Sequence, residues 1–139
     1  MKAYLGRRYR LSASHRLYSE ALSDAENRSV YGKCANPHGH GHNYTVEVTV
    51  GGTIDDATGM VCDLAVLDGY VSREVIEAFD HTNLNVLACF REVVPTTENL
   101  CLEIRKRLKG FGAAQLVRVR VEETSNNYFE YSEEPVPSL

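Results

Sequence analysis

Alternating apolar and polar residues predict four β-strands, two in each half of the chain. The first strand is predicted over residues 4–15 and the second over residues 42–51, because apolar side chains recur at every second position. The same period predicts strands over residues 116–124 and 128–131. The Ser and Asn residues at 125–127 supply the turn between the last two strands, since Asn tolerates positive φ.

The middle of the chain has the longer period of amphipathic helices. Asp63 is a predicted N-cap, and the helix that follows extends to residue 79 with an apolar stripe on one side. A second helix begins near Pro95 and ends before Gly110. Residues 17–33 are polar, and we expect them to form a long loop, which in a compact domain is usually functional or mobile.

This order of elements predicts a single α+β domain over residues 1–139, since no repeat or linker interrupts the chain. Two strand pairs flank two helices, which favours a four-stranded antiparallel sheet with the helices on one face. Such a sheet has two open edges that need cover or a partner. Edge-to-edge association of several copies would satisfy them.

Composition removes several classes of function. The 139 residues include 15 Lys and Arg against 19 Asp and Glu, a mildly acidic balance that argues against broad nucleic-acid binding. No apolar run approaches the roughly 18 residues of a membrane span. The first residues carry charges without a following apolar segment, so we expect a cytoplasmic protein. The four cysteines show no CxxC spacing, and free thiols are expected, with Cys62 and Cys101 in the core.

Three histidines form the candidate metal site. His40 and His42 are two residues apart in a predicted strand, so both imidazoles lie on one face. His15 ends the neighbouring strand on its apolar face. Three neutral imidazoles with one open position are typical of catalytic zinc. The alternatives are a solvated His-rich loop, or a site that uses His38 in place of His42.

Other polar residues suggest chemistry, with alternatives that the pattern leaves open. Cys34 follows Lys33 and precedes the histidine run, a setting that favours the thiolate. Asp80 and His81 form either a proton-transfer pair or a cap at the end of the first helix. Glu123 shares the apolar face of its strand, so it either binds a cationic or amidine-like group or emerges into solvent.

Seven ordered sequence blocks resemble the 6-pyruvoyl-tetrahydropterin synthase family, which also contains the 6-carboxy-tetrahydropterin synthases of queuosine biosynthesis. The blocks are Ser12-Ala-Ser-His15-Arg-Leu, Tyr31-Gly-Lys-Cys34, Gly39-His40-Gly-His42-Asn-Tyr44, Thr58-Gly-Met-Val61, Phe79-Asp80-His81-Thr-Asn-Leu84, Pro95-Thr-Thr-Glu98-Asn and Glu123-Thr124. They cover nearly the whole chain.

The resemblance implies a role for each matching residue. It implies that His15, His40 and His42 bind zinc. Cys34 would be the general base, with Asp80 and His81 as its proton-relay partners. Glu123 and the segment Thr96, Thr97 and Glu98 would bind the pterin. Candidate contacts for a triphosphate are Arg16, Arg28 and Lys33.

The resemblance also implies a tunnelling fold (T-fold) in which three sheets close into a barrel and two trimers stack as a hexamer, with sites between subunits. The implied activity is that of a zinc-dependent lyase, which converts 7,8-dihydroneopterin triphosphate to 6-pyruvoyl-tetrahydropterin with elimination of triphosphate. The long segment 34–42 favours this product. The alternatives are a 6-carboxy-5,6,7,8-tetrahydropterin synthase that also releases acetaldehyde, a non-catalytic pterin- or zinc-binding module, and a purely structural zinc protein.

Overall fold

The computed structural model describes residues 2–133, in which one five-stranded sheet has the order β3-β1-β2-β4-β5. The strands β1 and β3 pair in parallel, and the other neighbours pair antiparallel. The strands are β1 (Lys2–His15), β2 (His40–Thr53), β3 (Thr82–Asn83), β4 (Gln115–Thr124) and β5 (Asn127–Ser132).

Three helices accompany the sheet. Helix α1 is Asp24–Tyr31 and helix α3 is Thr97–Leu108. Helix α2 spans residues 64–79 and has three parts: an α-helical segment Leu64–Val71, a π-helical turn Ser72–Ile76 and a last turn Glu77–Phe79. Short 3₁₀ turns lie at Gly32–Ala35, Leu84–Val86 and Ala88–Phe90.

Side-chain caps explain where the helices begin. The Asp63 carboxylate accepts hydrogen bonds from the backbone N–H groups of Ala65 and Val66, as predicted for the N-cap of α2. The Thr96 hydroxyl accepts from the N–H of Asn99 and starts α3. These caps satisfy backbone donors that have no partner within the helix.

The α+β class with α2 and α3 on one sheet face is confirmed, and two details of the prediction are wrong. Residues 17–33 are not a loop throughout, because α1 begins there at a capping box in which Ser23 and Glu26 bond reciprocally. The sheet has a fifth strand, β3, which pairs in parallel with β1 at Ala13 and Ser14. Two residues are too few to show an alternating pattern, so this strand has no sequence signal.

The core lies between the helices and one face of the sheet. Cys101, in α3, is fully buried there, and Cys62 is buried at its margin, so both behave as small apolar residues. The opposite face is polar: on it Glu47 pairs with Arg8 at 3.0 Å and with Arg118 at 3.4 Å. The buried side chains of the core include Leu11, Tyr44, Val46, Val48, Val119 and Val121 from the sheet, Leu67, Val71, Val75 and Phe79 from α2, and Leu100, Ile104 and Leu108 from α3.

The two long strands pair over their whole length. The antiparallel register of β1 and β2 extends from Lys2 opposite Thr53 to His15 opposite His40. Residues that face the helices in one strand therefore lie beside residues that face the helices in the other. The last pair of this ladder joins two of the three candidate metal ligands.

Within one chain the sheet stays open. Its outer strands are β3 and β5, and β3 covers β1 only at Ala13 and Ser14. In the described part of the chain, no helix has the length and apolar character that crossing a membrane requires.

Helix α3 offers a matched test of this packing. Ile104 is fully buried, whereas Leu102 on the same helix is 41% exposed. We expect Ile104→Ala to lower the free energy of unfolding by about 2–5 kcal/mol, because it leaves a cavity in the core. The control, Leu102→Ala, should change it by less than about 0.5 kcal/mol. Urea denaturation at one protein concentration measures both, and equal losses would contradict the described orientation of α3.

Candidate metal centre and its surroundings

Three imidazoles converge where β1 ends and β2 begins. The ring centroids of His15 and His40 are 4.5 Å apart, those of His15 and His42 5.1 Å, and those of His40 and His42 4.8 Å. One oxygen of Glu123, near the end of β4, joins them, and the four potential ligand atoms all lie within 4.8 Å of one another. Three neighbouring strands thus bring these side chains together on the helix-facing side of the sheet.

A backbone carbonyl orients His15. Its Nδ1 lies 2.7 Å from the carbonyl oxygen of Pro95, an acceptor, so Nδ1 carries the proton and donates it to that oxygen. The Nε2 lone pair is then directed at His40, whose own Nε2 is 2.9 Å away. Metal-binding histidines usually donate their other ring N–H to a carbonyl or carboxylate oxygen, which fixes the orientation of the ring, and the Pro95 carbonyl is such an acceptor. The pattern of side chains along the sequence does not reveal this contact, because a backbone carbonyl makes it.

Burial favours the neutral forms of His15 and His40. Desolvation lowers the pKa of His15 and the neighbouring imidazoles lower it further, although the Pro95 carbonyl acts in the opposite direction. Desolvation also lowers the pKa of His40, and His42 adds to the effect. At neutral pH both rings therefore offer lone pairs, which is the form that binds metal ions.

The donor set fits a zinc ion. Within residues 2–133, His42 Nε2 is buried without a hydrogen-bond partner. It lies 3.2 Å from an oxygen of Glu123, which is also 3.5 Å from His15 Nε2. A buried polar atom without a partner is costly, and a shared cation would satisfy it together with the other imidazole nitrogens. Three imidazole nitrogens and a carboxylate oxygen are ligands typical of Zn²⁺.

His38 lies outside this group. Its side chain is exposed, and its backbone N–H donates to the side-chain oxygen of Asn36 at 3.0 Å. The strand β2 begins at His40, so His40 and His42 share its helix-facing side while His38 precedes the strand. Of the histidines in the run, the structure brings together the two that the strand pattern favours.

Gly39 allows the backbone to approach His15. It has φ of 70°, and a Cβ atom there would lie 3.0 Å from the His15 carbonyl oxygen. A Cβ at Gly41 would be 3.8 Å from its nearest neighbour, the Ala13 carbonyl oxygen, which is an ordinary contact. The two glycines of the motif therefore differ, and Gly39 is the one that the geometry requires.

Cys34 is tied to the metal group through its backbone. It lies in the turn Gly32–Ala35, and its carbonyl accepts from the N–H of Leu17 at 2.8 Å. The next carbonyl, that of Ala35, accepts from Arg16 Nε at 3.0 Å. The residues that follow His15 thus hold this turn. The thiol is half-buried, and it does not belong to the group of four potential ligands found among residues 2–133.

Asp80 and His81 form a pair anchored to β1. The Asp80 Oδ2 atom lies 3.0 Å from His81 Nδ1, and Oδ1 accepts from the N–H of Ser12 at 2.8 Å. The Ser12 N–H is the main reason that the pKa of Asp80 is lowered, with His81 adding to it. The His81 N–H in turn donates to the Ser12 carbonyl at 2.6 Å.

His81 has an unusual backbone conformation and an accessible ring. Its φ of 58° is in the left-handed region, and its side chain is 83% exposed. A strained residue beside a candidate site is typical of functional positions. His81 and His42 line the same open cleft of about 460 Å³, so one residue of the Asp-His pair and one of the metal group border a shared space.

The other predicted pocket residues start α3. Thr97 is buried, Glu98 is exposed, and the Thr96 hydroxyl caps the helix. They follow directly after Pro95, whose carbonyl holds His15. Glu123, whose carboxylate is predicted to bind the pterin, is 18% exposed, and its second oxygen accepts from Asn127 Nδ2 at 2.9 Å. It lies against the imidazoles, a proximity that strand phase alone did not predict.

The two glycines provide a test of this geometry. We expect Gly39→Ala to lower the free energy of unfolding by about 1–3 kcal/mol, because a left-handed residue acquires a Cβ that meets the His15 backbone. The matched control Gly41→Ala should cost less than about 1 kcal/mol. Urea denaturation measures both values. If Gly39→Ala were the milder change, the tight approach of residue 39 to His15 would be disproved.

Comparisons with known proteins identify the family of this chain. A family model described as 6-pyruvoyl tetrahydropterin synthase matches residues 4–134. The chain is 49% identical over 135 residues to a human 6-pyruvoyl tetrahydrobiopterin synthase, covering 96% of this chain and 93% of that protein. It is 38% identical over 112 residues to a putative 6-carboxy-5,6,7,8-tetrahydropterin synthase of Archaeoglobus fulgidus, covering 81% and 90%. The solved Caenorhabditis elegans 6-pyruvoyl tetrahydropterin synthase superposes with a TM-score of 0.91 at 40% identity, over 96% of this chain and 97% of that one. The chain therefore belongs to the 6-pyruvoyl tetrahydropterin synthase family.

Proposed function

We propose that this protein is a zinc-dependent lyase that converts 7,8-dihydroneopterin triphosphate to 6-pyruvoyl-tetrahydropterin and releases triphosphate. The observation that carries the proposal is the convergence of three imidazoles, one with an unpartnered buried Nε2 atom, in a chain 49% identical to the human 6-pyruvoyl tetrahydrobiopterin synthase. Near-complete coverage of both chains supports transfer of the activity of the whole relative.

His15, His40 and His42 would hold the zinc ion. When bound, Zn²⁺ supplies Lewis-acid chemistry that polarises the hydroxyl oxygens of the substrate side chain and makes the neighbouring protons more acidic. The protein's part is to keep His15 and His40 neutral and to orient the rings. Burial favours the neutral form of both, and the Pro95 carbonyl orients His15.

Proton transfer is assigned to Cys34 and to the Asp80–His81 pair. Cys34, as a thiolate, removes a proton from the substrate side chain. The Asp80 carboxylate, fixed by the Ser12 N–H, accepts from His81 Nδ1 and leaves His81 Nε2 to exchange a second proton. The exposure of His81 in a single chain supports a site completed between subunits, in which Cys34 and His81 come from different copies.

Pterin recognition is assigned to Glu123 and to the segment Thr96, Thr97 and Glu98. A carboxylate accepts two parallel hydrogen bonds from a guanidine-like edge, and Asn127 orients the Glu123 carboxylate. Because Glu123 also lies against the imidazoles, it would place the ring close to the metal. The non-catalytic binding module is disfavoured, since binding alone requires neither Cys34 nor the Asp–His pair.

The open sheet edges support the proposed oligomer. The strand β5 is an outer strand, and β1 lacks a β3 partner beyond Ala13 and Ser14. Joining β5 of one copy to β1 of the next would close three sheets into a barrel and remove the edges. A trimer, or two stacked trimers, is therefore part of the proposal, as is the cytoplasmic location expected from the sequence.

Incubation of the zinc-loaded protein with 7,8-dihydroneopterin triphosphate tests the activity. We expect 6-pyruvoyl-tetrahydropterin and one equivalent of triphosphate by mass spectrometry and phosphate analysis. Formation of 6-carboxy-tetrahydropterin with acetaldehyde would assign the chain to the sister reaction instead. Substrate binding without release of triphosphate would reject a lyase and leave a binding module.

The metal assignment has its own test. We expect His42→Ala to lose at least about tenfold in zinc affinity, since one of three protein ligands is removed. His38→Ala is the matched control and should bind zinc as the wild type does, because its ring is exposed and outside the ligand group. Competition with a chelating dye measures the dissociation constants. Loss of zinc from the His38 variant alone would refute the assignment.

A further inference from the structure

Glu123 reaches the imidazoles from a bulge in β4. In the pairing of β4 with β5, Glu122 lies opposite Tyr128. Two residues later, Thr124 lies opposite Asn127, which is only one residue away from Tyr128. Glu123 is therefore an extra residue on the β4 side. A bulge of this kind changes the direction of a side chain, and bulges are common next to active sites. The local backbone thus helps to place this carboxylate beside the histidines.

The spacing of the potential ligand atoms fits one tetrahedral ion. In a tetrahedral zinc site with bonds of about 2.0–2.2 Å, neighbouring ligand atoms lie about 3.3–3.6 Å apart. Glu123 Oε1 is 3.2 Å from His42 Nε2 and 3.5 Å from His15 Nε2. The Nε2 atoms of His15 and His40 are 2.9 Å apart. The carboxylate oxygen therefore lies at the separation expected of a ligand.

The close contact between Glu123 and His42 is not a hydrogen bond. Within residues 2–133, His42 Nε2 is buried without a hydrogen-bond partner, although the carboxylate oxygen is only 3.2 Å away. An imidazole lone pair and an anionic oxygen repel each other at this distance, whereas a metal cation between them attracts both. The two atoms are therefore placed to share a cation.

We propose that Glu123 Oε1 is a fourth zinc ligand in the absence of substrate, and that the pterin ring takes this carboxylate away from the metal when it binds. The inference rests on the proposed function, which assigns recognition of the ring to the same carboxylate. The coordination position then opens to the hydroxyl groups of the substrate side chain only after the ring is in place. Glu123 thereby makes access to the metal depend on recognition of the substrate.

The two roles compete for the same oxygen. The other carboxylate oxygen of Glu123, Oε2, accepts from Asn127 Nδ2 at 2.9 Å. A guanidine-like edge donates two parallel hydrogen bonds and needs both oxygens of a carboxylate. Glu123 can bind the ring in this way only if Oε1 leaves the imidazoles. A charge that is 18% exposed has a partner before the exchange and after it, so neither state leaves it unpaired.

Two other arrangements predict different behaviour. In the first, the carboxylate bridges the metal and the ring at once, since its two oxygens offer about four lone pairs. The ring would then leave the zinc affinity unchanged or raise it. In the second, Glu123 contacts the imidazoles only when no metal is bound. Replacing Glu123 would then leave the zinc affinity unchanged.

The zinc affinity of the full-length protein tests the ligand role. For Glu123→Gln we expect the dissociation constant for zinc to rise about tenfold or more, since a neutral amide replaces an anionic ligand. Glu122→Gln is the matched control, because it removes the same charge from the next residue of β4. The Glu122 side chain lies on the polar face, beside Arg8 and Arg120, and its replacement should not change zinc binding. Competition with a chelating dye measures each constant, and equal values for the wild type and Glu123→Gln would overturn the inference.

A pterin ring without side-chain hydroxyl groups, 6-methyl-7,8-dihydropterin, tests the exchange. At saturation it should weaken zinc binding to the wild type towards the value of Glu123→Gln, because it takes the carboxylate and offers no hydroxyl in its place. By reciprocity, zinc should weaken the binding of this ring by the same factor. The hydroxyl groups of 7,8-dihydroneopterin replace the carboxylate, so this compound should cause no such loss. An unchanged or higher zinc affinity with the methyl compound would indicate a bridging carboxylate and overturn the exchange.

Cobalt(II) in place of zinc gives a second readout, since its visible absorption depends on the number and geometry of its ligands. Glu123→Gln should differ from the wild type before any ring is added, and Glu122→Gln should not. Addition of the methyl compound should change the wild-type spectrum. Spectra of the wild type that are identical with and without the bound ring would contradict the exchange.

The thermal midpoint of each metal-free variant establishes that it is folded. If Glu123→Gln does not fold, Glu123→Asp supplies the comparison, because it keeps the charge but shortens the reach and should also bind zinc more weakly. Failure of the wild type to bind the ring would reject the exchange together with the proposed recognition of the pterin. A protein that shows the exchange but releases no triphosphate from the complete substrate would contradict only the proposed function.

Discussion

The antiparallel pairing of β1 with β2 fixes the distance between the metal ligands. Because the register extends without a shift from Lys2 opposite Thr53 to His15 opposite His40, two imidazoles become direct neighbours at the end of the ladder. His42 lies on the same face two residues later, and β4 then brings Glu123 alongside. A slip of one residue would turn one ligand set to the polar face, so the site depends on this register.

Much of the fold could be predicted from side-chain periodicity. The long strands and the helices α2 and α3 have strong apolar patterns, since each buries one face against the same core. Helix α1 was missed because its surface is polar and only Asn27 in it is buried. Its start did have a signal, the Ser23–Glu26 capping box. The strand β3 has none, since a two-residue pairing is determined by its neighbours in space.

The candidate site was predictable where side chains determine it. The spacing of His40 and His42 gave their common face, and the phase of β1 added His15. Contacts made by backbone atoms were not predictable, such as the Pro95 carbonyl that orients His15. The closeness of Glu123 to the imidazoles depends on how β4 pairs with β2. The alternation of residues along one strand does not indicate which strand it pairs with. Completion of the site by other copies of the chain is likewise a property of the assembly.

Residues 16–39 leave the sheet between His15 and His40 and contain both α1 and the turn that carries Cys34. An ion bound by those two histidines would cross-link the two ends of this segment. A permanent cross-link that closes a loop of this length stabilises the folded state by on the order of 3 kcal/mol, because it lowers the conformational entropy of the unfolded chain. A metal ion bound at both ends closes the same loop reversibly. Loss of the ion would therefore loosen the segment that carries the Cys34 thiol. The position of the proposed base would then depend on whether the metal is bound.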